Sequence, residues 1–311
     1  MKQKIPHIMK IKQSVKSFPW QHPKSLEEDP QAHKRVEEII KSPSYIIAEK
    51  DNDFLQQDEI LGVRLDLDYL KAELLLRQHG IEQTIVVFGS THIIEEKTAK
   101  QQLELAQKAL ENSPGSVKDI ESVKRAERIL DKSRYYKIAR MFGQLVGRAG
   151  EGPTDSRITL MTGGGPGIME AANRGAFDVG AKSIGLNISL PDEQFPNPYI
   201  TPDLCFQFHY FAIRKFHFLQ RAEALVVFPG GFGTLDELFG ILTLIQTRKV
   251  DPIPIVLVGK KYWEQLIDMD FLENEGMISP EDRSFFWYAE DAKEIWDGLT
   301  TWHNVNKTPL F

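Results

Sequence analysis

Two glycine-rich segments of this 311-residue chain have the composition of anion-binding turns. TGGGPGIME spans residues 162–170 and PGGFGTLDE spans residues 229–237, and each joins a short apolar run to a helix-compatible segment. Glycine allows close backbone approach to a ligand, and the first N–H groups of the following helix can bind an anion. Neither segment is a dinucleotide fingerprint or a P-loop, because Ile168 stands where GxGxxG needs glycine and no lysine follows GGFGT. The two turns together predict a pocket for a nucleotide or a sugar phosphate.

The second turn ends in the spacing TxxE, formed by Thr234 and Glu237. One interpretation is a capping box, in which the two side chains satisfy free N–H groups at the start of a helix. The other is that Thr234 joins the phosphate cradle while Glu237 directs its carboxylate at the sugar of a bound nucleotide. Asp236 is the competing carboxylate, and we expect it to face away.

An aromatic and basic segment precedes the strand that leads into this second turn. We predict a helix from about Phe206 to Glu223, with one apolar and one cationic face. The apolar face comprises Phe208, Ala212, Phe216 and Leu219, and the opposite face comprises Tyr210, Arg214, His217 and Arg221. A cationic side chain near the start of this helix can reach an anion held at the turn. His209 and His217 lack carboxylates or cysteines at metal-binding spacing, so we expect them to pack or to hydrogen-bond.

The elements that position these residues are predicted strands and helices that alternate along the chain. Unalternating apolar runs are separated by segments of helical period, which is typical of a parallel sheet buried on both faces. The predicted strands cover residues 84–90, 158–165, 183–189, 224–231 and 254–259, with a further one near 284–291 before a closing helix at 292–302. A proline-rich loop over 189–203 is long enough to cover a site. The predicted fold class is therefore α/β, a doubly wound, Rossmann-like parallel sheet whose ligands bind at the carboxyl ends of the strands.

The residues before the sheet read as an N-terminal helical extension. Prolines interrupt charged, helix-compatible segments, and the predicted domains are an extension over residues 1–75 and a Rossmann-like domain over 76–311. Near the end of the extension we predict a helix from Gly62 to Arg77. We expect its Leu67, Leu70, Leu74 and Leu75 to pack on the main domain.

Composition narrows the class of protein. Apolar residues make up 41% and charged residues 26% of the chain, and its formal net charge is −6, so nothing indicates a disordered chain, a coiled coil or a nucleic-acid-binding surface. The one cysteine, Cys205, excludes an intrachain disulfide and a multi-cysteine metal site. The basic N-terminus lacks the apolar run of a signal peptide. We therefore expect a cytoplasmic protein that binds neither nucleic acid nor membrane.

The motifs resemble those of the Lonely Guy (LOG) family, which includes cytokinin riboside 5′-monophosphate phosphoribohydrolases and bacterial nucleotide nucleosidases. The family signature PGGxGTxxE is present as PGGFGTLDE, a second motif is present as GGGPGIM over residues 163–169, and Arg214 and Lys215 match an arginine–lysine pair ahead of the strand. The resemblance runs from about Leu61 to Leu299, and the LPDEQFPNPY loop is similar to that of the longer bacterial branch. The plant-type MHxRK motif is altered, with Ala212 and Ile213 at its first positions.

This resemblance implies hydrolysis of the N-glycosidic bond of a nucleoside 5′-monophosphate, giving free base and ribose 5-phosphate. Glu237 and Arg214 would be the catalytic residues, with Arg214 keeping the carboxylate ionised. The implied phosphate- and nucleotide-binding residues are Gly89, Ser90, Gly163, Gly164, Gly165, Lys215, Gly230, Gly231, Gly233 and Thr234. The resemblance implies no metal and no cofactor. It also implies a homodimer with pockets near the interface.

Two other functions fit the same turns. A non-catalytic protein of this fold could bind or carry a nucleotide or a molybdopterin-type cofactor, because fold does not determine function. A glycine-rich cup could also hold pyridoxal phosphate, although no lysine stands in a convincing Schiff-base context. The paired Arg214 and Glu237 favour the hydrolase, since a carrier has no evident need for a carboxylate at the sugar.

Overall fold

The computed structural model describes residues 24–191 and 195–311. The chain divides into two compact units, the first ending at Arg64 and the second running from Leu65 to Phe311. This division falls inside a helix, whereas the sequence predicts the boundary after residue 75. The described part of the first unit holds short helices: α1 (Ala32–Ile40), α2 (Asn52–Leu55) and 3-10 turns at Pro43–Tyr45, Ala48–Lys50 and Asp58–Ile60, before α3 (Leu61–Gln78) begins.

The second unit is built on a sheet of seven parallel strands. The strands are β1 (Gln83–Phe88), β2 (Ile158–Thr162), β3 (Ser183–Ile188), β4 (Cys205–Phe208), β5 (Ala222–Val227), β6 (Ile255–Val258) and β7 (Phe286–Ala289), in the order β4-β3-β2-β1-β5-β6-β7. The helices are α4 (Glu96–Asn112), α5 (Val117–Gly147), α6 (Ile168–Asp178), α7 (Phe211–Gln220), α8 (Phe232–Gln246), α9 (Lys260–Leu266), α10 (Met269–Asn274) and α11 (Ala292–Asn306). The predicted α/β class with a doubly wound parallel sheet is confirmed.

Strand β1 shows why its sequence does not alternate between apolar and polar residues. Ile85 and Val87 face one core, which they share with α5, α6 and α11, whereas Val86 and Phe88 face a second core shared with α3, α7 and α8. Both faces of the sheet are therefore buried, which explains the unbroken apolar run Ile85–Phe88 at the end of the strand.

The order of the strands also determines where a ligand can bind. The chain leaves the central β1 toward β2, β3 and β4 on one side and returns to β5 on the other. The connections after β1 and β5 diverge, which opens a crevice at the carboxyl ends of these two neighbouring strands. The two glycine-rich turns follow β2 and β5 and border this crevice.

One predicted helix boundary is wrong. The sequence predicts a helix from about Phe206 to Glu223, but β4 occupies Cys205–Phe208 and the helix α7 spans only Phe211–Gln220. The burial of β4 explains the difference, because Phe206 and Phe208 are buried and Gln207 is exposed. This alternation has the period of a strand, and β4 pairs with β3 at the edge of the sheet.

The predicted apolar face of α3 is wrong for three of its four leucines, whereas Leu75 packs against the core as predicted. Leu67, Leu70 and Leu74 are exposed, while Ala72 and Leu76 reach the core. Glu73 lies on the same buried face and is paired with Arg77 and Arg221. The buried face of α3 therefore includes an ion-paired glutamate, and a search for apolar residues at helical spacing does not find such a residue.

Candidate active site

A cavity of about 360 Å³ lies at the carboxyl ends of β1, β2 and β5. Its wall combines the two glycine-rich turns, the residues after β1, and side chains from α7 and α8. The lining residues are Phe88, Gly89, Ser90, Thr91, His92, Gly163, Met169, Ile188, Leu190, Phe211, Arg214, Phe218, Gly231, Phe232, Gly233, Thr234 and Glu237. This volume lies within the usual range for a small-molecule site.

The peptide unit at Ser90 joins the two glycine-rich turns. Its N–H donates to the carbonyl of Pro229 (3.0 Å), and its carbonyl accepts from the N–H of Ile168 (3.1 Å). A Cβ atom added to Gly89 would lie 2.7 Å from the Ile168 side chain. Glycine at this position therefore lets the end of β1 pack directly against the start of α6.

The second glycine-rich turn presents the N-terminus of α8 to the cavity. Gly231 is the residue before the helix, and Phe232 is its first residue. The N–H groups of Phe232 and Gly233 have no preceding helical turn to donate to, so they are available to an anion, which the helix dipole also favours. Thr234 is the third helical residue and is buried. The capping-box interpretation is therefore wrong, since it needs Thr234 just before the helix.

Arg214 and Glu237 face each other across the cavity wall. Arg214 Nη2 lies 3.7 Å from Glu237 Oε1, and the two side chains are only 14% and 7% exposed. Burial raises the pKa of Glu237 to about 7, although the positive charges of Lys215 and Arg214 oppose this shift. The resemblance implies that Arg214 keeps the pKa of this carboxyl low, but desolvation outweighs the two cations.

The Arg214 guanidinium is held between aromatic rings. Its central carbon lies 5.0 Å from the centre of the Phe211 ring and 5.6 Å from that of Phe218. Burial lowers the pKa of Arg214. The Nε atom is buried and has no hydrogen-bond acceptor among residues 24–191 and 195–311. A buried donor of this kind is suited to an oxygen atom of a ligand.

Lys215 and Asp236 form a second ion pair beside the first. Lys215 Nζ lies 2.6 Å from Asp236 Oδ1, and the Asp236 side chain is exposed. Neither residue lines the cavity. Asp236 therefore faces away from the cavity, as predicted, and Lys215 lies beside Asp236 outside the cavity wall.

The cavity brings together most of the residues selected from the sequence, but not all of them. It includes Gly89, Ser90, Gly163, Arg214, Gly231, Gly233, Thr234 and Glu237, while Gly164, Gly165, Lys215 and Gly230 lie outside its wall. The carbonyls of Gly164 and Gly165 accept hydrogen bonds from Asn197 instead. A Cβ atom at Gly164 would overlap Asn187, so this glycine serves packing within the turn.

The cavity has an apolar wall that no motif in the sequence predicts. This wall comprises Met169, Ile188, Leu190, Phe211, Phe218 and Phe232, and His92 lines the cavity as well. Leu190 opens the proline-rich loop, whose length was the available signal for contact with a site. Residues 192–194 of this loop lie outside the described residues. Phe232 is 93% exposed, which leaves one side of the cavity mouth apolar.

The two faces predicted for the Arg214 helix are partly exchanged. His217 is fully buried and Phe216 is exposed, against the predicted cationic outer face. His217 Nε2 lies 3.2 Å from the carbonyl oxygen of Tyr69, and the two rings stack with centres 5.0 Å apart. The expectation that His217 packs and hydrogen-bonds therefore agrees with the contacts observed.

Within residues 24–191 and 195–311, no group of three histidine, cysteine, aspartate or glutamate side chains is arranged to hold a metal ion. In the same ranges no helix combines the length and apolar character that crossing a membrane requires.

The geometry of the site is that of a Rossmann-like α/β protein. Its cavity offers backbone N–H donors and a buried carboxylate–guanidinium pair to one ligand.

Parts of this sequence are similar to the sequences of known proteins. A family model described as "Possible lysine decarboxylase" matches residues 169–299. The chain is 29% identical over 154 residues to the probable cytokinin riboside 5′-monophosphate phosphoribohydrolase LOGL3 of Oryza sativa subsp. japonica, covering 46% of this chain and 68% of that protein. It is 32% identical over 143 residues to the cytokinin riboside 5′-monophosphate phosphoribohydrolase LOG1 of Arabidopsis thaliana, covering 44% and 65%. These matches support membership of the LOG family.

Among solved structures, the molybdenum cofactor binding protein from Rippkaea orientalis matches with a TM-score of 0.39 and 21% identity. The match covers 54% of this chain and 86% of that one.

Proposed function

We propose that this chain hydrolyses the N-glycosidic bond of a nucleoside 5′-monophosphate, such as AMP, and releases free base and ribose 5-phosphate. The observation that carries the proposal is the buried Arg214–Glu237 pair, which shares one cavity with the free N-terminus of α8. The names of the LOG relatives support the same reaction class. Because the relatives are matched over about two thirds of their length, activity and substrate are proposals for this chain.

In the proposed reaction the bond between the anomeric carbon and the base nitrogen breaks, and its electron pair leaves with the base. The positive charge that develops on the sugar is stabilised by the Glu237 carboxylate. Water adds to the anomeric carbon and transfers a proton to Glu237, whose pKa of about 7 suits a group that takes up and releases protons near neutrality. Glu237 then gives this proton up, the departing base nitrogen gains one proton in exchange, and the carboxylate is regenerated.

The phosphate is proposed to bind at the N-terminus of α8. The N–H groups of Phe232 and Gly233 and the Thr234 hydroxyl would surround it, and the neighbouring Ser90 hydroxyl would close the opposite side. The family resemblance also implies a phosphate-binding role for Lys215, but Lys215 pairs with Asp236 outside the cavity, which gives that role no support.

We expect phosphate to be required for turnover, because binding energy from this remote group positions the sugar. The test incubates the purified protein with a panel of nucleoside 5′-monophosphates and the matching nucleosides, and measures free base and ribose 5-phosphate by chromatography. Base release from a monophosphate, with little from its nucleoside, is the expected result. Equal turnover of both would contradict the phosphate site, and no release from any compound would contradict the hydrolase.

Thr234→Ala is expected to raise KM for the nucleotide about tenfold and to leave kcat within about threefold, since the hydroxyl contributes one hydrogen bond to the phosphate. Steady-state kinetics on the best substrate of the panel measures both constants. Thr243→Ala, on the exposed side of the same helix, is the matched control. An unchanged KM in Thr234→Ala would remove this residue from the cradle.

The other two candidate functions have less support from the cavity. Among the described residues, no lysine lines it, so this lining supplies no Schiff-base partner for pyridoxal phosphate. A non-catalytic carrier of a nucleotide or a molybdopterin-type cofactor would use the same turns without needing the buried Glu237. Nucleotide binding without base release in the panel would favour the carrier. The homodimer, the longer bacterial branch and the cytoplasmic location stay predictions.

A further inference from the structure

Helix α3 contacts the start of α7, the helix that carries Arg214. The Asp68 carboxylate accepts the backbone N–H of His209 at 3.1 Å and that of Tyr210 at 3.0 Å. Tyr210 is the residue immediately before α7. The N–H groups of His209 and Tyr210, just before the helix, therefore donate to a side chain of a neighbouring helix. A capping side chain within α7 would not bind these groups, because it accepts from the N–H groups two or three residues further on.

Two further contacts hold α7 along its length. At the middle, His217 Nε2 lies 3.2 Å from the Tyr69 carbonyl oxygen. At the end, Arg221 Nη2 lies 2.9 Å from the Glu73 carboxylate, and these two side chains are 10% and 3% exposed. Helix α3 thus contacts α7 at its beginning, middle and end, and only the first contact is next to the turn that bears Arg214.

The link from Asp68 to Arg214 is short. The Arg214 N–H donates to the carbonyl of Tyr210 at 3.1 Å, so Arg214 closes the first turn of the helix that Asp68 holds. The Arg214 side chain then reaches Glu237 at 3.7 Å on the opposite helix. If residues 209 and 210 move, the first turn of α7 and the guanidinium move with them.

We propose that Asp68 is a positioning residue that fixes the Arg214 guanidinium against Glu237. This inference rests on the proposed function, and it assigns a role to a residue outside the segment matched by the family model. Asp68 touches neither the cavity nor Glu237 and acts through the backbone of residues 209–210.

We expect Asp68→Ala to lower kcat about 10-fold to 100-fold, because a small displacement of a reacting group has effects of this size. KM should change little, since the proposed phosphate site on α8 is untouched. Asp68→Asn keeps one carbonyl-type acceptor and should recover part of the lost kcat. Asp66→Ala, an exposed aspartate on the same helix, is the matched control and should behave as wild type.

Two further measurements separate positioning from general destabilisation. In a double-mutant cycle with Arg214→Lys, the loss caused by Asp68→Ala should largely disappear, because the residue acts through Arg214. Full additivity of the two losses would overturn the proposal. Hydrogen exchange without substrate should show faster exchange at residues 209–214 in Asp68→Ala, with β1 and β5 unchanged.

The exchange measurement does not depend on the reaction. Unchanged exchange at residues 209–214 would overturn the positioning role whatever the enzyme kinetics show. If exchange there is faster but the wild type releases no base from any nucleotide, the result would support the contact between Asp68 and the start of α7. It would contradict the hydrolase.

Discussion

Glu237→Gln is expected to lower kcat by about 10²-fold to 10⁴-fold on any nucleoside monophosphate that the wild type hydrolyses. The amide retains the size of the side chain but neither carries the negative charge that stabilises the sugar cation nor accepts a proton from water. Nucleotide binding should persist, because the α8 N-terminus is unchanged. Single-turnover kinetics and calorimetric titration with the same nucleotide measure the two effects separately.

Asp236→Asn is the matched control for this substitution. Asp236 is the adjacent carboxylate, lies outside the cavity and pairs with Lys215. Its kcat should stay within about threefold of wild type, as for other exposed substitutions that touch no substrate. Wild-type turnover by Glu237→Gln would instead remove this carboxylate from the mechanism.

The pH dependence of the wild type should reflect the raised pKa of Glu237. The ionised carboxylate is the active form, so kcat/KM is expected to rise with pH and to level off above about 7. A free glutamate would level off more than two pH units lower. The residual activity of Glu237→Gln should lack this inflection, and an inflection retained at the same pH would assign it to another group.

Arg214→Ala is expected to lower kcat/KM by about 10²-fold or more, because it removes a buried donor to the ligand and one of the two cations near the Glu237 carboxylate. The inflection in the pH profile should move above that of the wild type, since Arg214 lowers the pKa of Glu237. Initial rates between pH 5.5 and pH 9 would test both, at about half-unit intervals.

Arg214→Lys keeps a positive charge but loses the planar group that lies between Phe211 and Phe218. In this variant the inflection of the pH profile should stay near the wild-type pH, while kcat should be lower than in the wild type. A pH profile that moves equally in both variants would show that charge is not the reason for the shift.

The parts of the site that sequence predicts are those encoded by local spacing. PGGFGTLDE indicates a turn followed by a helix, and helical spacing places Thr234 and Glu237 on the same side of it. The pairing of Arg214 with Glu237 came from family resemblance, because no local pattern connects residues 23 positions apart. The structure brings both into one cavity.

The parts that sequence misses depend on long-range packing. The chain at Gln207 is a strand because β4 pairs with β3 at the edge of the sheet, and local periodicity does not show this pairing. His217 is buried because Tyr69, far away in the chain, provides its hydrogen-bond partner. The pKa of Glu237 depends on the balance between burial and two cations, and the sequence reveals the cations but not the burial.

The burial of Glu237 links proton uptake to the folding equilibrium. An unfolded glutamate releases its proton near pH 4.5, whereas the native carboxyl retains it to about pH 7, so the native state binds more protons between these values. By linkage, raising the pH through this interval lowers the free energy of unfolding. The ionised state that the proposed reaction needs is therefore also the less stable state of the fold.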